Sequence, residues 1–188
     1  MDENINIEEN KEDKRAKFRK ELFSWVRVLV IAVICGVIIN YTIIASAHVI
    51  SGSMESTVMT DSRVMGLRMV YWFSDPGRFD IILFHAPDGD SEHPYVKRII
   101  GLPNEKIEIV NGKVYVNDSG FPLDDSFIKD GAWGDFGPVV VPENSYFVIG
   151  DNRNGSVDSR HWENTFVPRR NIIAKLYFEY FPSPQFFK

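Results

Sequence analysis

A mainly β, antiparallel domain preceded by one N-terminal transmembrane helix is the fold class this sequence predicts, and three observations carry it. A single long apolar segment runs from about Leu22 to Ile50, uncharged from Val28 to Ala47. After Ile50 the apolar residues fall in short β-branched or aromatic runs bounded by Gly, Pro, Asn and Asp, the pattern of strands and turns. No stretch beyond Ile50 keeps a 3.6-residue period, so little helix is expected there.

The helix comes first. At about 1.5 Å of rise per residue, some 20 residues cross a hydrocarbon core roughly 30 Å thick. Lys14, Arg15, Lys17, Arg19 and Lys20 form a basic cluster before the segment, and Arg27 lies where it can snorkel to headgroups. The positive-inside rule then divides the chain three ways. Residues 1–21 form a polar cytoplasmic tail, disordered over the acidic stretch Met1 to Asp13. Residues 22–47 form the membrane helix and residues 48–188 the extracytoplasmic β domain. Trp25 and Tyr41 are placed as interfacial anchors. The resulting expectation is a single-pass cell-membrane protein. A cleaved secretory signal is the alternative, because Ala45-Ser46-Ala47 has the form of a cleavage site. The apolar run exceeds the roughly 7–15 residues of a signal peptide's core and a long polar stretch precedes it, which favours a retained anchor.

About 140 residues remain after the anchor, enough for one sizeable core. Cys35 lies in the apolar segment, so the outer domain contains no disulfide. A net charge of −5 with interspersed acids and bases offers no stripe for nucleic acid. No clustered His/Cys set and no phosphate loop occurs, so neither metal nor other cofactor is expected.

Strands are expected at Phe79 to Phe84, Tyr95 to Ile100, Lys106 to Val110, Lys113 to Val116 and Tyr146 to Ile149. Two more fall around Met65 to Phe73 and Ile173 to Tyr180. Between Val110 and Lys113, Asn111-Gly112 supplies the two positive-φ residues of a type I′ turn, which predicts a hairpin. Phe121 to Pro138, rich in Gly and Asp, reads as a loop.

The chemistry begins at Ser51-Gly52-Ser53-Met54, just past the apolar segment. Two serines two residues apart present both hydroxyls to one side of an extended chain. One can attack a carbonyl while the other, with the Ser53 N–H, donates to the developing oxyanion. A serine needs a base. His48, His85, His93 and His161 could serve with Asp80, Asp151 or Asp158, but nothing in the sequence ties them to Ser53, and surface histidines in loops are the plainer reading. Lys97, inside the run Tyr95 to Gly101, is the other base. Burial would have to lower its pKa from about 10.4 toward roughly 7–8. An ordinary strand lysine snorkelling to solvent is the competing reading.

These residues resemble the conserved boxes of type I signal peptidases. Ser51-Gly52-Ser53-Met54 after an N-terminal anchor is similar to the family's nucleophile box, and Lys97-Arg98-Ile99-Ile100-Gly101-Leu102-Pro103 to its lysine box. Gly150-Asp151-Asn152-Arg153-Asn154-Gly155-Ser156-Val157-Asp158-Ser159-Arg160 resembles its third. The resemblance runs from the anchor to Lys175, closest to the smaller Gram-positive-like, single-anchor members. It implies a signal-peptidase-like β fold and a membrane-anchored serine endopeptidase that removes signal peptides from exported preproteins. Ser53 matches the nucleophile, Lys97 the general base, and Ser51 the hydroxyl that completes the oxyanion hole with the Ser53 N–H. Ser156 matches the hydroxyl that orients the lysine amine, and Asp158 and Arg160 an ion pair behind the site. The substrate would lie extended along a strand, with small residues at the first and third positions before the cut, the Ala-x-Ala pattern. Signal peptides, membrane lipid and the secretion translocon are the partners implied.

Three positions depart from the family pattern. Ser56 stands in place of a proline, a change worth about 0.4–1 kcal/mol through chain entropy. Phe79 replaces the glycine usual before Asp80, and Glu163-Asn164-Thr165 replaces a shorter glycine connection. A noncatalytic, membrane-anchored peptide-binding module of a secretion complex is the rival reading, opposed by the presence of Ser53, Lys97 and Ser156 together. A self-cleaving repressor protease of the same superfamily is opposed by the anchor. Ala45-Ser46-Ala47 raises the further hypothesis of self-cleavage in trans after Ala47. Of the late aromatics, mostly expected in the core, Phe186-Phe187-Lys188 are the ones expected to touch the bilayer.

Overall fold

The computed structural model describes residues 2–88, 93–128 and 131–187, and the chain divides into one unit ending at Thr42 and another beginning at Ile43.

The first unit is a helix, α1 (Asp2–Thr42). No Pro occurs in it and no Gly precedes Gly36, while Glu and Lys, good helix formers, fill its polar start. The stretch expected to be disordered is therefore helical from Asp2 onward. Lys17–Thr42, 26 residues of high mean hydropathy, is long and apolar enough to cross a membrane. The helix stops at Thr42, whose Oγ1 donates to the Ile38 carbonyl at 2.7 Å, and does not reach Ala47.

In the second unit, β1 (Ile44–His48) pairs antiparallel with β2 (Arg63–Leu67), Ile44 opposite Leu67 and His48 opposite Arg63. Residues 44–47, expected as the end of the membrane helix, are thus an edge strand. Ala45 is buried with Val49, Met54, Val58 and Val64, and that packing overrides the continuity of the apolar run. β2 ends at Leu67 because its partner begins at Ile44. The strand expected to continue to Phe73 turns instead into α2 (Val70–Phe73), with Tyr71 buried and Trp72 and Phe73 exposed.

The remaining strands are β3 (Ile81–Phe84), β4 (Tyr95–Gly101), β5 (Lys106–Val110), β6 (Lys113–Val116), β7 (Phe136–Val140), β8 (Ser145–Ile149), β9 (Val167–Pro168), β10 (Ile172–Phe181) and β11 (Gln185–Phe186). The larger sheet runs β1-β2-β10-β3-β4-β8-β9, with β11 also on β10, and the smaller runs β6-β5-β7. The β5–β6 hairpin turns through Asn111 (φ 51°) and Gly112 (φ 76°), both positive as a type I′ turn requires. β7 lies partly within the segment expected to be loop, recruited by pairing with β5.

β3 is buried at every position: Ile81 and Leu83 face one apolar cluster, Ile82 and Phe84 another. β8 is buried from Tyr146 onward, with Tyr146 and Val148 on one side and Phe147 and Ile149 on the other, the second cluster also holding Ile107 and Ile109 of the small sheet. Strands covered on both faces explain the unbroken apolar runs in the sequence. Phe79, at the usual glycine position, has φ 71°. That conformation costs a non-glycine residue about 1–2 kcal/mol, and the ring packs edge-on against Phe127 at 5.6 Å. At the C-terminus Phe186 is exposed and stacks on Phe178, whereas Phe187 packs against the first cluster and is not free to meet a bilayer. Lys188 lies outside the described residues.

Candidate active site

Ser53 sits in a single 3-10 turn, Gly52–Met54, at the end of the link leaving β1. Met54 anchors the turn by burying completely in the cluster beneath β1, β2, β3 and β10. Ser51 is extended (φ −130°, ψ 148°) but Ser53 is not, so the simple alternation expected of them does not hold. Their hydroxyl oxygens nevertheless lie 3.3 Å apart. As an early N–H of the turn, that of Ser53 has no partner within it.

Lys97 is on β4 opposite Ile82 of β3. Its side chain is 2% exposed and its amine donates to Ser53 Oγ at 2.6 Å. Burial pulls the amine pKa down to about 8; Asp158 and Asp151 oppose that, while Arg160 adds to it. A substantial neutral fraction therefore exists near pH 8, and a neutral amine has the lone pair a base requires. None of the histidines takes this place. Ser53 Oγ is partnered by Ser51 and Lys97, while His48 faces Asp61 at 3.5 Å and His161 faces Asp158 at 3.6 Å.

The third box wraps the turn from behind. Asp158 and Arg160 form a two-pronged ion pair, each contact 2.8 Å, and Arg160 also donates to the Arg153 carbonyl. Burial pushes the Asp158 carboxyl up, but the Arg160 hydrogen bonds and charge, with the Gly150 N–H, hold it below its usual range. Ser156 is buried; its hydroxyl makes no hydrogen bond to Lys97 and instead faces the Asp158 carboxylate, which it helps hold ionised. It lies close to the nucleophile: a Cβ added at Gly150 would fall 2.3 Å from both Ser156 Oγ and the Ser53 carbonyl oxygen.

Asp151, named in the sequence only as a possible histidine partner, and Asn152, not singled out at all, prove central. Asp151 accepts from Arg98 Nε at 2.9 Å and Nη2 at 2.7 Å, and from Thr57 Oγ1 at 2.6 Å. It thus joins the lysine strand to the residues just after Ser53. Asn152 donates to the turn itself, its backbone N–H to the Ser53 carbonyl and its Nδ2 to the Gly52 carbonyl. Their place at the head of the third box, and that of Arg98 next to Lys97, was the available signal. The Glu55–Ser56 peptide bond is cis.

A groove of about 240 Å³ opens beside Ser53 and Lys97, walled by Ala47 to Ser51 on one side and by His93 to Val96 on the other. One wall is the end of edge strand β1 and the other the start of β4. A serine oxygen held against a desolvated amine at the foot of a groove is the arrangement in which an amine can serve a serine nucleophile as base.

Comparison with known proteins gives the family. The model of signal peptidase, peptidase S26, matches residues 22–181. Signal peptidase I S of Bacillus subtilis is 35% identical over 87% of this chain and 91% of its own length. Signal peptidase I of Leptolyngbya laminosa is 32% identical over 86% of this chain and 80% of its own. A crystal structure of a signal peptidase I from Enterococcus faecalis, 32% identical, covers 54% of this chain and 97% of that one with a TM-score of 0.45. The chain belongs to the signal peptidase family, peptidase S26, whose members are serine endopeptidases.

Proposed function

We propose that this chain is a membrane-anchored signal peptidase that cleaves exported preproteins after Ala-x-Ala by a Ser53–Lys97 mechanism. The observation that carries the reading is the 2.6 Å contact between the buried Lys97 amine and Ser53 Oγ.

With Lys97 neutral, its lone pair takes the Ser53 hydroxyl proton as Oγ bonds to the carbonyl carbon before the cut. The resulting oxyanion accepts from the Ser53 N–H and the Ser51 hydroxyl. Collapse breaks the C–N bond, and the Lys97 ammonium returns its proton to the leaving amine. Water then attacks the acyl ester, giving its proton to Lys97, and Ser53 leaves as the free hydroxyl. In this reading Ser156, buried near the Ser53 carbonyl, turns its hydroxyl to the Lys97 amine during turnover, a contact not formed here, and Asp158 with Arg160 supports the loop that carries it.

A substrate lying extended between β1 and the start of β4 would place its small side chains against Ala47, Val49 and Val96, with steric exclusion as the source of selectivity. The basic cluster before the apolar helix supports a cytoplasmic N-terminus and an extracytoplasmic catalytic unit. Lipid and the translocon are the expected neighbours. The test is cleavage of a preprotein whose signal ends in Ala-x-Ala by the detergent-solubilised chain, beside Ser53→Ala and Lys97→Ala. Specific cutting lost in both variants supports the reading, and a folded wild type that cuts none of several preproteins turns it toward a binding module.

A further inference from the structure

We infer that Asn152 is a positioning residue for the oxyanion hole, acting through the peptide group that joins Gly52 to Ser53; this rests on the reading of Ser53 as nucleophile. The carbonyl of that peptide unit belongs to Gly52 and its N–H to Ser53. The Asn152 Nδ2 donates to the Gly52 oxygen at 3.0 Å, and the Asn152 backbone N–H donates to the Ser53 oxygen at 3.1 Å. Two donors from one residue thus hold consecutive carbonyls of the nucleophile turn. A hydrogen bond accepted by a peptide carbonyl draws electron density toward the oxygen and strengthens donation by the N–H across the same bond. It also fixes the plane of the peptide, and so the direction in which the Ser53 N–H points.

The amide is itself held. Its Oδ1 accepts from the Gly155 N–H at 3.0 Å, which orients the Nδ2 toward Gly52. Gly155 leaves the amide its space, since a Cβ there would lie 2.7 Å from Nδ2 and 2.9 Å from Oδ1. The pair Asn152 and Gly155 therefore sets one peptide bond, and that bond supplies an oxyanion donor. Asn152 makes no hydrogen bond to Lys97 or to either serine hydroxyl, so its main effect falls on the charge that develops on the substrate oxygen.

The experiment compares the full-length chain with Asn152→Ala, Asn152→Asp and Gly155→Ala. Kinetics are measured across pH, with affinity for a peptide aldehyde ending in Ala-x-Ala and for the matching peptide alcohol. The aldehyde adds to a serine hydroxyl and develops the oxyanion; the alcohol does not. Removing an oxyanion donor outright costs about 10²–10³ in kcat, so weakening one should lower kcat about 10- to 100-fold in Asn152→Ala. KM, the pH inflection and alcohol affinity should stay at wild-type values, and aldehyde affinity should fall in step with kcat/KM. Asn152→Asp keeps the acceptor for Gly155 but sets a carboxylate against the Gly52 oxygen, and should lose at least as much; Gly155→Ala, with Asn152 intact but displaced, should lose less. An unchanged kcat, a shifted pH inflection, or equal weakening of aldehyde and alcohol overturns the inference. A wild type that neither cleaves nor binds the aldehyde overturns the underlying reading of Ser53 instead.

Discussion

Lys97 and Ser53, 44 positions apart in the chain, meet at 2.6 Å between amine and hydroxyl with the lysine side chain 2% exposed. The contact joins a strand at the centre of the larger sheet to a turn outside it, and removing either group should abolish turnover while leaving the fold intact. Ser53→Ala and Lys97→Met are each expected to lower kcat/KM by at least about 10³-fold, at the upper part of the range for general acid–base groups. Circular dichroism matching the wild type, with cleavage of an Ala-x-Ala preprotein lost, is the expected pair of results. Near-normal cleavage by either variant would exclude the dyad.

A Lys97 amine lowered to about 8 makes activity and stability both depend on pH. Below that value kcat/KM should rise about tenfold per pH unit and then level off, because only the neutral amine accepts the proton. Asp158→Asn should move the inflection to lower pH, since Asp158 favours the charged amine and Arg160 opposes it. The folded-state pKa lies below the ordinary value of 10.5, so between about 8 and 10.5 the unfolded chain binds more protons and this lysine makes stability rise with pH. The difference corresponds to about 3 kcal/mol at roughly 1.4 kcal/mol per unit. Thermal melts of wild type and Lys97→Met across pH 7–11 should converge toward high pH, and parallel curves would contradict the burial cost.

Asp151 and Arg98 form a buried ion pair, their side chains 1% and 3% exposed. Breaking such a pair from one side leaves an unpaired buried charge and costs about 3–5 kcal/mol. Asp151→Ala also frees Thr57, which follows the nucleophile turn. Urea denaturation should show that loss, and replacing Arg98 with Met in the same chain should recover part of it. Additive losses in the double variant would show that the two side chains are not coupled.

Gly150→Ala is expected to remove activity without unfolding the β domain. Its Cβ would enter within 2.3 Å of the Ser53 carbonyl and of Ser156 Oγ, so the turn has to move. Wild-type turnover in this variant would mean that the turn and the third box separate more easily than their packing indicates.

Ala45-Ser46-Ala47 has the form of a cleavage site, yet all three residues pair with β2 and Ala45 is 2% exposed. A strand held on a sheet cannot lie extended in another molecule's groove, so self-cleavage in trans should be absent from the folded protein. Intact-mass measurement during long incubation in detergent should show no new terminus after Ala47. Its appearance without denaturant would show that β1 detaches readily.

Much of this molecule was legible in one dimension. The uncharged span, the Asn111-Gly112 hairpin and most central strands follow from hydropathy, turn chemistry and β-branched runs, which are local properties of neighbouring residues. The serine stood out by its place just past the apolar span, whereas the lysine and the Asp158–Arg160 pair were singled out only by resemblance to the boxes of the signal peptidase family. Other features were decided by contacts between distant segments. Nothing local stops the helix at Thr42, since the apolar run continues without Gly or Pro through Ala47; the end is set where Ile44 finds Leu67. β7 looks like loop until β5 pairs with it. Lys97 is an ordinary strand lysine until β3, β8 and the nucleophile turn close over it and remove the water that would keep it charged. The sequence by itself determined which groups are present and where the chain can bend or cross a membrane. Only the tertiary structure decided which strand edges are used and which side chains are desolvated, because pairing and burial depend on residues that the chain brings together from far apart.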